Sequence, residues 1–311
     1  MSKIESVRRK IKNVNEHDYE SACVSNDFIR YSNAFKPLTD DEIDIFLFLC
    51  AKAKENYQKD YETKSWYKEL DINIVDYYNK THSKNWNKLP IEARTEFIDK
   101  IVSIQDKHFE YKENDIWDYY SYVSHIRYNG KDKSLVATMP STTKEFLCSF
   151  EYGRFTKVWI KYLAKMKSKS TKMLYLYFRS YIENDESKIK GASISIENLK
   201  KYMGLSKKYE EWYNFKVRVL VPAIKNINKN TDIFIVGYKE EMEKYLSGRD
   251  FNNLSENEQI DVIIKSICCT GSSGKAIQKL KFHVLDKDAD IYKRYYSGDK
   301  KQENDAFMDI N

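Results

Sequence analysis

The fold of this chain is decided by three adjacent segments: ISIENLKKYMGL (residues 194–205), SKKYEEW (206–212) and YNFKVRVLVPAIKNINKN (213–230). The first has apolar residues at helical spacing behind Ser195, a suitable N-cap. Gly204 follows it, and glycine tolerates the positive φ that a helix C-terminus often needs. The third is a longer helical pattern, in which we expect a bend at Pro222 because proline lacks a backbone donor. Together they predict a helix, a tight basic turn and a second helix.

A strand-rich region follows this pair of helices. Its two strand patterns are TDIFIVGYKE (231–240) and KAIQKLKFHV (275–284). A helix-turn-helix closed by a hairpin is a winged helix-turn-helix, which lays its second helix in the DNA major groove. The hairpin is interrupted by an insertion near 240–274 that contains two segments of helical character, EEMEKYLSG and LSENEQIDVIIKSI.

The second helix has two distinct faces on a wheel of about 100° per residue. The predicted buried arc consists of Tyr213, Val217, Leu220, Ala223, Ile224 and Ile227. The opposite arc carries Asn214, Arg218, Lys225 and Lys229. Between residues 201 and 230 there are seven Lys/Arg and two acidic residues. Such a charge run alone is most often a solvated helix face, but next to a helix-turn-helix it favours DNA binding.

The same residues carry a family resemblance. The segment FKVRVLVPAIKNINKNTDI (215–233) resembles the signature of theta-type plasmid replication initiators, the iteron-binding Rep proteins with two winged helices. Four further segments are similar to the family: VSNDFIRYSNAFKPLTDDEIDIFLFLC (24–50), KMLYLYFRSYI (172–182), SIENLKKYMGL (195–205) and KLKFHV (279–284). The similar segments follow the family's order and spacing and together cover roughly a third of the chain. The insertion near 240–274 departs from the family pattern and leaves the wing-tip contacts unassigned.

The resemblance implies an α+β, helix-rich chain with two tandem winged helix-turn-helix domains. It also implies a replication initiator whose monomers bind direct repeats at an origin as double-stranded DNA. The initiator would then distort an adjacent AT-rich duplex and recruit the replicative helicase with the host initiator. A homodimer formed through the first domain would repress the protein's own gene.

The length of 311 residues suits two modest domains, each with its own core. We expect a flexible arm at 1–20, a first winged helix at 21–166 for dimerisation and auxiliary DNA contact, a second at 167–285 for main DNA recognition, and a polar tail at 286–311. The boundary falls at KSKST (167–171), which is small, polar and basic.

Several elements of the first domain are predicted by local pattern. Thr39 is expected to cap a helix whose buried stripe is Ile43, Phe46, Leu47 and Cys50. Further helices are expected at 64–80, 89–107, 143–150 and 155–166. Asn129 and Gly130 predict the turn of a hairpin, the first wing. The mixed charges of 89–107 suit auxiliary rather than main DNA contact.

Candidate DNA contacts divide into two groups. From 152 to 182 there are eight Lys/Arg and no acidic residue, which creates a local positive field. Phosphate contacts are expected from Lys167, Lys169, Lys172 and the basic turn. Base-edge contacts are expected from Lys207, Lys208, Tyr209, Asn214, Lys216 and Arg218. Lys225 and Lys275 complete the predicted set.

No pattern in the chain indicates catalysis. The five histidines form no His-x-His pair, so no metal is expected. The segment CTGSSGKAIQ (269–278) lacks the spacing of a phosphate loop, so no cofactor is expected. The five cysteines show no paired spacing and are expected as reduced thiols. No run approaches the ~20 apolar residues of a membrane span, so a cytoplasmic location is expected. The net charge of +6 is mildly basic.

Two alternatives stay open at this point. One is a winged-helix transcriptional repressor with no role in initiation, and the other is a rolling-circle nicking replication enzyme. Direct repeats beside an AT-rich tract would favour initiation, and one palindrome would favour repression. Metal-dependent cleavage of supercoiled origin DNA would favour the nicking enzyme.

Overall fold

The chain divides into two compact units, residues 1–172 and 173–311. The structure is a computed structural model that describes residues 21–30, 33–59, 68–82, 85–113, 116–143, 155–182, 190–270 and 277–287. The expected arm at 1–20, most of the polar tail and all but the first residue of the helix expected at 143–150 lie outside these ranges. The division falls close to the predicted boundary at 167–171, inside a helix. The roles given to each domain stay predictions.

The described residues of unit 1 form helices, the longest of 20 residues, and three antiparallel sheets. Its helices are α1 (Asn26–Arg30), α2 (Asp40–Lys59), α3 (Ile74–Thr81), α4 (Ile91–Val102), α5 (Ile160–Leu163) and the first residues of α6 (Lys169–Arg179). Its strands are β1 (Ser21–Ser25), β2 (Leu70–Asn73), β3 (His108–Glu113), β4 (Ile116–Ser121), β5 (His125–Asn129), β6 (Ser134–Thr138) and β7 (Phe155–Trp159). β1 pairs with β7, β3 pairs with β4, and β6 lies between β2 and β5.

Helix α2 begins as its sequence predicts. The backbone N–H of Thr39 donates to the Glu42 carboxylate at 2.6 Å, and the Glu42 N–H returns a hydrogen bond to Thr39 Oγ1 at 3.4 Å. This reciprocal cap fixes the first turn of the helix. The predicted stripe is buried throughout: Ile43, Phe46, Leu47 and Cys50. Phe46 packs edge-on against Tyr122, in a cluster with Phe28, Phe35 and Phe109.

Two predictions for unit 1 are wrong, and one is confirmed. The hairpin β5–β6 turns just after Asn129, as expected. Residues 155–159 form strand β7 rather than a helix, because they pair along their length with β1. Within β7, Thr156 and Val158 are buried and their neighbours half-exposed, which is the period of a strand. Residues 70–73, expected as helix, form β2 before α3 begins.

Unit 2 contains the rest of α6, a four-stranded antiparallel sheet and the helices between its strands. The strands are β8 (Lys190–Ser195), β9 (Ile233–Val236), β10 (Cys268–Thr270) and β11 (Ile277–Asp286). β11 is central, with β8 along one side and β10 and β9 in succession along the other. The helices are α7 (Ile196–Tyr202), α8 (Trp212–Phe215), α9 (Val221–Asn230), α10 (Lys239–Leu246) and α11 (Glu256–Ile267).

The predicted first helix of the helix-turn-helix is confirmed as α7. Ser195 Oγ accepts a hydrogen bond from the Asn198 N–H at 3.1 Å, which satisfies one of the unpaired amides of the first turn. Ile196, Leu199, Tyr202 and Met203 are all buried. Gly204, just after the helix, has φ +69°, the left-handed conformation that glycine adopts without strain.

The second helix is continuous but not regular. A π-helical turn, Lys216–Leu220, joins α8 to α9, and we name the whole segment 212–230 the composite helix. In the π turn the Val221 N–H donates to the Lys216 carbonyl, five residues back. Pro222 follows at once and has no N–H to donate to the Arg218 carbonyl, so the regular ladder is already interrupted at this place. The irregularity expected at Pro222 is therefore a π turn just before it.

The buried face of the composite helix changes at the π turn. From its last residue onward, Leu220, Ala223, Ile224 and Ile227 are buried as predicted. Between residues 213 and 219, the buried apolar residues are Phe215 and Val219, whereas Tyr213 and Val217 are exposed. One extra residue per turn rotates the following side chains by about 100° relative to a regular helix. The prediction that Tyr213 and Val217 face the core is therefore wrong.

The insertion near 240–274 contains α10 and α11, as their sequences predicted. Ser255 and Glu258 form a capping box at the start of α11. The apolar face of α11, which includes Val262, Ile263 and Ile267, is buried. α11 packs against α9 and β9, so the insertion lies beside the C-terminal part of the composite helix.

Candidate nucleic-acid interface

The turn between α7 and the composite helix is fixed by backbone contacts. The Leu205 N–H donates to the Lys200 carbonyl at 2.7 Å and closes α7. Tyr209 adopts φ +56°, and the Lys200 ammonium donates to the Tyr209 carbonyl at 2.6 Å. Lys200 also lies 5.4 Å from the centre of the Phe215 ring. Lys200 therefore holds the turn, which leaves Lys207 and Lys208 exposed to solvent.

The N-terminal half of the composite helix is an open cationic surface. Arg218 is exposed, and among the described residues no carboxylate pairs with it. Lys216 and Asn214 are half-buried on the same half. The Asn214 amide donates to the Glu211 carboxylate at 2.8 Å, a local contact within one turn. We name the set Lys207, Lys208, Asn214, Lys216 and Arg218 the basic surface.

The C-terminal half of the composite helix is neutralised by the insertion. Lys225 Nζ lies 3.4 Å from the Glu256 carboxylate and donates to the Asn257 side-chain oxygen at 2.9 Å. Lys229 lies 3.2 Å from the same carboxylate. The hydrogen bond from Lys229 lowers the pKa of Glu256, so its charge is present at neutral pH. Lys225 is thus engaged with an acidic neighbour, which weakens its predicted role as a DNA contact.

The three lysines predicted near the domain boundary differ in environment. Lys167 is exposed. Lys169 is half-buried, and its ammonium donates to the Lys36 carbonyl at 2.6 Å. Lys172 is 2% exposed, and its ammonium lies 2.8 Å from Asp44 and 3.0 Å from Asp40. The prediction that Lys172 contacts DNA is corrected, because its charge is buried and compensated within unit 1.

Two other residues belong to the predicted site. Lys275 lies outside the described residues. Tyr209 is half-buried at its positive φ, where it shapes the turn. Sequence reasoning missed the exposed side chains of Tyr213 and Val217, which lie on the same half of the composite helix as Arg218. The signal that could have found them is Pro222, which makes a regular wheel unreliable for the residues before it.

The arrangement has the chemistry of a binding surface. In the part of the chain that the structure describes, no group of three His, Cys, Asp or Glu side chains could hold a metal ion. None of the described helices is long and apolar enough to cross a bilayer. The charges of the basic surface and its mixture of donors suit phosphates and base edges.

Comparison with known proteins identifies both units. Residues 22–179 match the family model described as "Initiator Replication protein, WH1", and residues 195–255 match "Initiator Rep protein, WH2". No curated protein matches the chain. The chain is similar to a solved structure, "Crystal structure of Pi initiator protein in complex with iteron DNA", with a TM-score of 0.61 and 16% identity over 87% of this chain and 99% of that chain.

These matches confirm the predicted fold, a helix-rich α+β chain with two tandem winged-helix domains. The resemblance found in the sequence is confirmed as well. At 16% identity the likeness to the Pi structure shows the fold alone. The WH1 model by itself spans half of the chain, and the chain therefore belongs to the family of initiator replication proteins.

Proposed function

We propose that this chain is a plasmid replication initiator that binds repeated origin sequences, iterons, as double-stranded DNA. The observation that carries the proposal is the exposed Arg218 beside the basic turn, on a helix in the segment that matches WH2. In a helix-turn-helix, the N-terminal residues of the second helix contact base edges in the major groove. The similar Pi initiator structure is a complex with iteron DNA, which supports the same partner for this chain.

The basic surface divides into phosphate contacts and base contacts. Lys207 and Lys208 lie in the turn and would contact phosphates, which position the protein without selecting a sequence. Arg218 would donate two hydrogen bonds to guanine O6 and N7. Asn214 would pair with adenine N6 and N7 after it releases Glu211. Lys216 lies beside them and would reach a phosphate or a guanine.

Unit 1 would add auxiliary phosphate contacts through Lys167 and Lys169. Monomers would bind the direct repeats, distort an AT-rich duplex next to them and recruit the replicative helicase with the host initiator. Homodimers formed through unit 1 would repress the protein's own gene. These steps come from the family resemblance, and the basic surface accounts for the first of them.

The experiment starts by recovering a binding site. The purified full chain selects duplexes from a random library, and the DNA that flanks its own gene is footprinted for the selected sequence. We expect direct repeats, each bound with an affinity that falls steeply with salt, because phosphate contacts release counterions. A single palindrome with no repeats would contradict the proposal and favour the transcriptional repressor.

Origin opening needs a separate measurement. Permanganate oxidises thymines that are unstacked, so the full chain is added to supercoiled plasmid that carries the repeats and the neighbouring AT-rich tract. We expect new reactive thymines in the tract, and none in a plasmid from which the repeats are removed. Metal-dependent strand cleavage in the same reaction would instead favour the nicking enzyme.

A further inference from the structure

Two large apolar side chains lie exposed on the composite helix. Tyr213 is 69% exposed and Val217 is 43% exposed. They are four residues apart, so they lie on adjacent turns of one helix face. Tyr213 precedes Asn214 and Val217 precedes Arg218 in the chain, so the apolar pair lies on the same half of the composite helix as these members of the basic surface.

The exposure of this pair is built into the helix. Phe215 and Val219 are 0% and 5% exposed, so they are buried in place of the pair that a regular helical wheel assigns to the core. The π turn Lys216–Leu220 makes this exchange. π turns are frequently found at functional sites. Two apolar side chains that could have been buried are therefore held in solvent by an irregular backbone.

The surroundings indicate what covers the pair. Lys207 and Lys208 are exposed in the turn before the composite helix, and Arg218 is exposed on the helix itself, so this part of unit 2 suits a polyanion. A duplex in contact with this helix presents base edges in its major groove. Of the groups that the four bases present there, the C5-methyl of thymine is the apolar one. An apolar side chain on a groove-facing helix can therefore distinguish thymine from the other bases.

We propose that Tyr213 and Val217 contact thymine C5-methyl groups and specify thymine next to the base that Arg218 contacts. This inference rests on the proposed function, because it requires the composite helix to enter the major groove. It adds a specificity that hydrogen bonds from the basic surface do not provide.

The test uses 2′-deoxyuridine, which lacks the methyl group and keeps every hydrogen-bonding atom of thymine. The probe is the duplex selected by the full-length protein, with each thymine replaced in turn. For the wild-type protein we expect about a fourfold loss of affinity at one or two positions, the factor for burial of one methyl-sized group. Tyr213→Ala and Val217→Ala should each bind the thymine duplex more weakly and lose sensitivity to deoxyuridine at one of those positions.

Two variants serve as controls. Tyr213→Phe keeps the ring and should keep the sensitivity to deoxyuridine. Tyr119→Ala removes a tyrosine of similar exposure from β4 in unit 1 and should leave the deoxyuridine pattern unchanged. Thermal melting of each variant, followed by circular dichroism, verifies folding. Because Tyr213 and Val217 are exposed, we expect melting temperatures close to that of the wild-type protein.

Several outcomes would overturn the proposal. One is a wild-type protein that binds every deoxyuridine duplex as tightly as the thymine duplex. Another is a full deoxyuridine effect that persists in both alanine variants. A third is a change of oligomeric state in Tyr213→Ala with an unchanged deoxyuridine pattern, which would assign the pair to contact between copies. If the wild-type protein selects no duplex at all, that result would instead contradict the proposed function itself.

Discussion

The ammonium of Lys172 lies 2.8 Å from the Asp44 carboxylate, and both side chains are buried. Asp40 approaches the same ammonium at 3.0 Å. Removal of one partner from a buried ion pair leaves the other charge uncompensated in a region of low polarity. Lys172 therefore belongs to the stability of unit 1 rather than to its DNA contacts.

Lys172→Ala should lower the free energy of unfolding by about 3–5 kcal/mol. The measurement is urea unfolding of the full chain, with Lys167→Ala as the control because Lys167 is an exposed lysine nearby. At a temperature where both variants are folded, neither should lose the DNA sequence preference. A Lys172→Ala variant of unchanged stability would contradict the structural role given to this lysine.

Arg218→Ala should lose about 1–3 kcal/mol of specific DNA binding, because its guanidinium would donate to a base edge. Its stability should stay unchanged, since the side chain is exposed. The measurement is the ratio of affinities for the selected duplex and a random duplex. Arg249→Ala is the matched control, because Arg249 pairs with Glu258 in the insertion at 2.9 Å. An unchanged ratio for Arg218→Ala would remove Arg218 from the recognition surface.

Phe215→Ala should destabilise unit 2 by about 3–5 kcal/mol, the usual result of truncating a buried phenylalanine. Tyr213→Ala should change stability by no more than about 0.5 kcal/mol, because its ring is exposed. A regular helical wheel predicts the opposite order. Urea unfolding of the two variants therefore tests the π turn directly.

His283→Leu should remove part of the acid sensitivity of unit 2. Burial in β11, against the ring of Tyr238, lowers the pKa of His283 from 6.5 to about 4. As the pH falls below 6.5, the unfolded chain binds a proton that the folded chain excludes until about pH 4. The contribution of His283 to the free energy of unfolding is thus fully present above pH 6.5. It is lost as the pH falls to 4, by about 3 kcal/mol in total.

The measurement for His283 is the free energy of unfolding at several values between pH 7 and pH 4. The wild-type protein should lose more stability over this range than His283→Leu, and other titrating groups contribute equally to both. His125→Leu is the control, because His125 is exposed on β5. Equal slopes for the wild-type protein and His283→Leu would show that the folded protein protonates His283 normally.

Glu256→Gln should strengthen non-specific DNA binding. Glu256 neutralises Lys225 and Lys229, and the substitution removes its charge while its shape is kept. The slope of the logarithm of the binding constant against the logarithm of the salt concentration should become steeper by about one, as expected for one further phosphate contact. Glu241→Gln is the control, because Glu241 pairs with Lys244 in α10. An unchanged salt dependence would mean that these lysines lie away from the DNA.

The elements predicted correctly from the sequence are those stabilised by contacts between residues close together in the chain. Ser195 caps α7 and Thr39 caps α2 through contacts within one turn, so a single sequence was sufficient. The two helices of the insertion were predicted for the same reason, because their amphipathic patterns are continuous.

The errors came from partners that are distant in the chain or from an irregular backbone. Residues 155–166 have lysines at helical spacing, but the structure of residues 155–159 is decided by pairing with β1. Lys172 lies in a run of basic residues, and the carboxylates that pair with its ammonium belong to α2. Tyr213 and Val217 were assigned to the core because a wheel assumes 3.6 residues per turn, which the π turn violates.

The π turn also suggests how this surface could be lost without loss of the fold. A single codon deleted between residues 216 and 220 would restore a regular α-helical repeat. Phe215 and Leu220 would then lie on one continuous hydrophobic stripe, and the core of unit 2 would be retained. The side chains of this helix that face the DNA major groove would be rearranged. Such a shortened protein should accumulate normally and be unable to maintain its replicon.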